Sequence, residues 1–249
     1  MNPLLAYTLF LGDSTLILSQ RNSEWCGHGP ILEQDIAITN ISLDLLGQAR
    51  NFYTYAASLK GDGSTEDSLA YMRTEREFMN PLIVELERGD WARTILRQFF
   101  FSQYQQLLFE QLKDLPDEQL AAIAEKSLKE VNYHVRWSSE WVIRLGDGTK
   151  ESKQRITTAI FELYSYTGEL FEPASYEVAL VATGVAVDPS TLKEEWMENV
   201  KKVFDRATLE LPEPIFMQKG GKQGIHTEQL GFLLAELQYL QRVYPGSEW

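Results

Sequence analysis

Cysteine is nearly missing from the chain, histidine is scarce and basic residues are outnumbered, and each shortage excludes a class of function. A single cysteine, Cys26, rules out an intrachain disulfide and a metal cluster held by cysteines alone. Twenty-three Lys and Arg stand against 36 Asp and Glu, a formal charge of −13, which argues against an electrostatic grip on nucleic acid or anionic membrane. No run reaches the roughly 18 apolar residues that a membrane span needs. At the N-terminus, MNPLLAYTLFLGDSTL places Asp13 where a secretion signal would carry its apolar segment, with no basic residue before it. These absences predict a cytoplasmic protein whose partners are proteins or small molecules. Alternation of apolar and polar residues, the mark of a half-buried strand, is also hard to find.

What the sequence does have is apolar spacing of three and four over most of its 249 residues, which predicts an all-α fold. Breakers and caps divide it into helical stretches over about 4–21, 30–59, 64–77, 91–113, 118–145, 152–171, 193–207 and 227–243. No linker or low-complexity tract separates domains, so residues 1–249 are expected to form one domain. It would comprise a four-helix bundle over about 4–171 and a C-terminal helical extension over about 172–249. In the second stretch Ile38, Ile41, Leu45, Gln48, Phe52, Tyr55 and Leu59 form a seam suited to shallow helix packing, broken only by Gln48.

Two of the long helices carry the same signature. Asp44-Leu45-Leu46-Gly47-Gln48-Ala49-Arg50 and Glu130-Val131-Asn132-Tyr133-His134-Val135-Arg136 both read acid, apolar, two residues, Gln or His, one residue, Arg. The repeat predicts two related helical hairpins about a pseudo-two-fold axis. Such a bundle can hold two metal ions when two helices each supply a Glu and two others each supply Glu-x-x-His. The residues three before the three histidines are Trp25, Val131 and Gln223, so no carboxylate-x-x-His exists in the chain. The inward positions of the repeat are Leu45 with Gln48 and Val131 with His134, and aliphatic side chains cannot ligate a cation. A small polar network of Asp44, Gln48, Glu130 and His134 is expected there instead. The plainer alternative leaves the two acids solvated and His134 as a satisfied core histidine.

Four segments carry a resemblance: SEWCGHGP from Ser23, LDLLGQARNFYTYAA from Leu43, KEVNYH from Lys129, and GGKQGIHTEQLGFLLAELQYLQRVYPGSEW from Gly220. Over essentially the whole chain the sequence resembles the C-subunit family of the multicomponent phenylacetyl-CoA 1,2-epoxidases, ring-epoxidising monooxygenases of aerobic bacterial phenylacetate degradation. The resemblance implies a ferritin-like fold and a non-catalytic, structural subunit that pairs with the A-subunit, the di-iron oxygenase. It also implies that no cofactor is bound by this chain, that di-iron resides in that partner, and that electrons come from a reductase component with flavin and iron-sulfur centres. The related catalytic subunit has Glu-x-x-His where this chain has Leu45 to Gln48 and Val131 to His134. Its two remaining glutamates correspond to the neighbourhoods of Thr15 and Ser102, so six ligand positions are lost or altered.

Weaker signals give rival expectations. Cys26-Gly27-His28 suggests a thiol beside a base, against the usual behaviour of a lone thiol as a small apolar residue. Lys219-Gly220-Gly221-Lys222-Gln223-Gly224 ahead of a helix suggests Lys219 and Lys222 on the phosphates of a CoA ester, against a flexible connector with exposed lysines. His226-Thr227-Glu228 reads as a helix start. An independent ferritin-like metal-dependent oxidoreductase would have to use Asp13, Asp44, Glu130 and His134. A homo-oligomeric scaffold is the third alternative.

Overall fold

The computed structural model describes residues 2–213 and 216–247. Pro214, and Glu248 and Trp249 at the end of the C-terminal block, lie outside the described residues.

Two long antiparallel hairpins make the bundle. The first joins α1 (Pro3–Ser23) to α2 (Leu32–Lys60) and the second joins α5 (Trp91–Leu112) to α6 (Glu118–Gly146); α2 packs on α6 across the middle. Their ends follow local chemistry. Asn2 caps α1 with Pro3 in its first turn, Asp90 and Asp117 cap α5 and α6 through backbone amides three residues on, and α2 stops at Gly61, whose φ of 65° suits glycine. α1 is largely apolar and is buried on nearly every side from Leu5 to Ser19, Asp13 included, because α2, α4 (Leu82–Glu85) and α8 (Ser175–Val181) surround it. Gly12 permits the tight α1–α2 contact: a Cβ there would lie 2.8 Å from the Tyr53 ring.

The remaining elements dress this bundle. α7 (Lys150–Leu163) and α9 (Lys193–Ala207) cover the second hairpin, where the Trp196 indole donates to the Phe100 carbonyl at 3.0 Å. α10 (Glu228–Val243) lies on α3 (Glu66–Tyr71), α4 and the 3-10 turn Glu75–Glu77. Its Gln238 donates to the carbonyls of Ala70 and Arg73, both at 3.0 Å. α10 thus docks on the connection between the two hairpins.

Several boundaries differ from the sequence reading. The stretch 64–77 is α3 followed by a separate 3-10 turn, because the intervening Arg73 turns inward and is buried. The stretch 152–171 ends its regular helix at Leu163 and continues as two 3-10 turns. α4 and α8 are too short, at 4 and 7 residues, to show a periodic pattern.

Candidate functional site at the bundle midline

α2 and α6 run antiparallel, so residues that climb one helix descend the other. Gln34 accepts hydrogen bonds from the indoles of Trp137 and Trp141, Asp44 meets His134, Gln48 meets Glu130, and Tyr55 meets Asp117. This direction makes the repeated signature reciprocal. On each helix the acid sits four residues before the Gln or His, on the same face. Each acid therefore reaches the polar residue of the other helix. His134 Nε2 stands 3.0 Å from Asp44 Oδ2, and Gln48 Nε2 donates to Glu130 Oε2 at 2.9 Å. Because the carboxylate accepts, His134 turns its Nε2–H to Asp44, while its buried Nδ1 has no hydrogen-bond partner among the described residues. Gln48 Oε1 accepts from Gln105 Nε2 at 2.9 Å, so one amide links α2, α5 and α6.

The six positions that the resemblance singles out, Leu45, Gln48, Val131 and His134 with the neighbourhoods of Thr15 and Ser102, fall in the interior, and all six named residues are buried. Thr15 bonds the carbonyls of Leu11 and Gly12 in its own helix. Ser102 donates to the Gln98 carbonyl at 2.5 Å and accepts from Gln98 Nε2, while Gln98 Oε1 accepts from Asn22 of α1. The donor set is therefore two aliphatic side chains, one amide, one imidazole and two hydroxyls. Asp44 and Glu130 are half-exposed at the α2–α6 seam and already engaged. A di-iron centre needs about four carboxylates and two histidines. The residues present do not fit one, and among the described residues no group of three or more His, Cys, Asp or Glu is placed to hold a metal ion.

Residues 1–249 match the family described as phenylacetic acid catabolic protein. The chain is 52% identical over 249 residues, all of both sequences, to a protein of Escherichia coli (strain K12) named as the C-subunit of 1,2-phenylacetyl-CoA epoxidase. The chain belongs to the phenylacetic acid catabolic protein family. The fold is the ferritin-like helical bundle of that family. Among the described residues no helix is long and apolar enough to cross a membrane.

In this family member the rival metal set does not assemble. Asp13 is fully buried on the α1–α2 side, where it takes an ion pair from Arg73, a 2.6 Å hydrogen bond from Tyr53 and a 2.8 Å bond from the Met79 amide. Tyr53 lies nine residues beyond Asp44 on α2, about 13 Å along the helix axis, so Asp13 serves a different place in the bundle. Burial and the Asp13 charge push the Tyr53 hydroxyl well above its ordinary pKa, which keeps it a donor.

The weaker of the two readings of this loop, Lys219 and Lys222 on CoA phosphates, is opposed at Lys222 by its surroundings. Lys222 is buried: its Nζ is 3.0 Å from Glu177 Oε2 and donates to the Glu172 carbonyl at 3.1 Å, leaving nothing to offer an external anion. Burial raises the pKa of Glu177, and Lys222 opposes that rise. The loop amides do hold an anion, but it belongs to the chain: Glu169 accepts from the amides of Gly220, Lys222 and Leu82. The connector reading also fails for Lys222, since the loop is pinned from inside. Lys219 is exposed and pairs with Glu172 at 3.0 Å. Cys26 is exposed, and the neighbouring His28 ring meets the Cys26 carbonyl at 3.0 Å.

Sequence reasoning missed the polar cluster around His226. Thr227 does begin α10, yet His226 turns inward, with Nδ1 2.7 Å from Glu85 Oε2 and Nε2 2.8 Å from the Phe78 carbonyl. Glu85, wholly buried, also accepts from Asn80 Nδ2, the Thr227 amide and the Thr227 hydroxyl. Burial disfavours charge on the imidazole, but the Glu85 hydrogen bond and charge, with help from Phe78 and Asp13, raise its pKa above 6.5. No local pattern marks this cluster, because Glu85 and His226 are 141 residues apart. Gln105, the third member of the midline amide chain, was equally silent.

Proposed function

We propose that this chain is a non-catalytic, structural subunit of a phenylacetyl-CoA 1,2-epoxidase complex, pairing with and stabilising a di-iron oxygenase subunit. The observation that carries the reading is the midline itself. Where a di-iron relative needs carboxylates, Leu45 and Val131 pack, and the remaining space is closed by the paired chains Gln105–Gln48–Glu130 and Asp44–His134. Rebuilding a ligand set would require several substitutions and the loss of those hydrogen bonds. The full-length similarity to a protein named as an epoxidase subunit supports assembly with other subunits of the same enzyme. On this reading the chain binds no cofactor of its own, iron sits in the oxygenase partner, flavin and iron-sulfur centres sit in the reductase, and the complex works in the cytoplasm.

What this subunit supplies is a preorganised helical surface whose interior does not compete for metal. Hydrogen bonds from Gln105 through Gln48 to Glu130, and between Asp44 and His134, tie α2, α5 and α6 together without an ion, although His134 Nδ1 and Gln105 Oε1 have no partner among the described residues. Co-expression with the di-iron subunit tests this. The expected result is a stable heteromer in which iron, measured by elemental analysis, follows the partner, and in which the isolated chain neither retains iron nor oxidises phenylacetyl-CoA. Stoichiometric iron in the isolated chain grown in iron-rich medium, or epoxidation by it alone with an electron source, would overturn the proposal. Self-assembly without any affinity for the di-iron subunit would favour the homo-oligomeric scaffold.

A further inference from the structure

The outer face of α2 carries an apolar stripe that no described part of the chain covers. Leu32, Ile36, Leu43 and Leu46 are 72%, 52%, 59% and 40% exposed. At 100° per residue the first three fall in one narrow arc and Leu46 lies beside it. Gly47 sits next to them in the middle of a 29-residue helix, where glycine weakens helix formation relative to alanine. Nothing in this chain requires it: a Cβ built at Gly47 would meet no atom within 4 Å, in contrast to Gly12 against Tyr53. A glycine that opens a close approach to the α2 backbone here opens it to something outside the chain.

Next to Gly47 the helix forms a groove of about 470 Å³ with α3, floored by Leu16 and Tyr53 and rimmed by Glu66 and Asp67. Among the described residues the one base lining it is Arg50, 3.5 Å from Glu66. An apolar floor with an acidic rim calls for an apolar anchor flanked by Lys or Arg. A second copy of this chain answers that poorly. At −13 per chain, copies repel, and grooves stacked on one another would set acidic rim against acidic rim. From Leu32 to Arg50 the face runs about 27 Å, long enough for a helix that makes a substantial part of a standard interface.

We propose that a helix of a less acidic partner subunit docks along this face, with apolar side chains over Ile36 and Leu43, basic side chains against Glu66 and Asp67, and its backbone nearest α2 at Gly47. The inference rests on the accessory-subunit reading and adds to it the face that is used. The test measures binding of the full-length chain to the di-iron oxygenase subunit from the same genome. Leu43→Glu and Gly47→Leu are expected to weaken that complex by at least about tenfold, the loss typical of a central interface residue. Gly47→Ala should leave the melting temperature of the isolated chain equal or higher while still weakening the complex, a split that a merely structural glycine would not produce. Phe161→Glu, at a 68% exposed position on α7, should bind like the parent protein. If the parent complex forms and the α2 variants bind equally well, the face is wrong and the accessory role stands. If the parent protein forms no complex, both fall. A homodimer that Leu43→Glu dissociates would overturn the proposal in favour of a second copy.

Discussion

Replacing His226 with glutamine removes the imidazole that meets the buried Glu85 carboxylate, beside the Arg21 guanidinium that donates to the Glu85 backbone carbonyl at 2.9 Å, and the structure allows the effect to be sized. The ring nitrogens face Glu85 Oε2 at 2.7 Å and the Phe78 carbonyl at 2.8 Å, an arrangement in which the imidazolium, the form present below the raised pKa, donates from both nitrogens. A glutamine amide carries both of its N–H donors on one nitrogen, so it cannot reproduce the two separate ring donors, and it brings no charge. Breaking a buried pair costs about 3–5 kcal/mol, and the three donors that Glu85 keeps, from Asn80 and Thr227, place this case near about 3 kcal/mol. For a chain of this size that corresponds to a fall in Tm of about 6–12 °C. The sign with pH follows from the raised pKa of His226. Because the folded value lies above the unfolded one, the stabilisation is complete below about pH 6.5 and is lost as pH rises through the folded value. His226→Gln should therefore depress Tm strongly at pH 6 and much less at pH 9. Thermal unfolding followed by circular dichroism at both pH values reads this, and NMR titration of only three histidines identifies the ring. A penalty that is equal or larger at pH 9, or a His226 ring titrating below 6.5, would refute the reasoning.

Two further outcomes can be measured by urea unfolding. Arg73→Met strands Asp13 in the interior with only the Tyr53 hydroxyl and the Met79 amide, and should cost about 3–5 kcal/mol, with most of it recovered when Asp13→Asn is added; a double variant no more stable than the single one contradicts the pairing. Gln48→Leu leaves Gln105 Nε2 and Glu130 without their partner and should cost about 1–3 kcal/mol. Adding Gln105→Leu should then cost less than it does in the parent protein, whereas strict additivity would show that the amide chain is not coupled.

The long helices were readable because their information is local: caps at Asn2, Asp90 and Asp117, a glycine stop at Gly61, and apolar spacing in between. The reciprocal midline network was readable for a related reason. An acid four residues ahead of a Gln or His shares its face of the helix, so once two such helices pack antiparallel the cross pairing follows. Lys222 was misread because glycines around a lysine describe a loop equally well whether its side chain faces water or Glu177. Burial of that side chain depends on α8 and on Glu169, residues 45 and 53 positions away.

Residue order alone decided that this chain is helical, where its long helices start and stop, and that Leu45 and Val131 stand three residues before Gln48 and His134, since each depends on which side chains recur within a turn or two. Folding in three dimensions decided which buried charges meet: Asp13 with Arg73, Glu177 with Lys222 and Glu85 with His226. Those pairings join residues 60, 45 and 141 positions apart, and a charge in the interior is tolerated only beside a partner that chain packing alone can deliver.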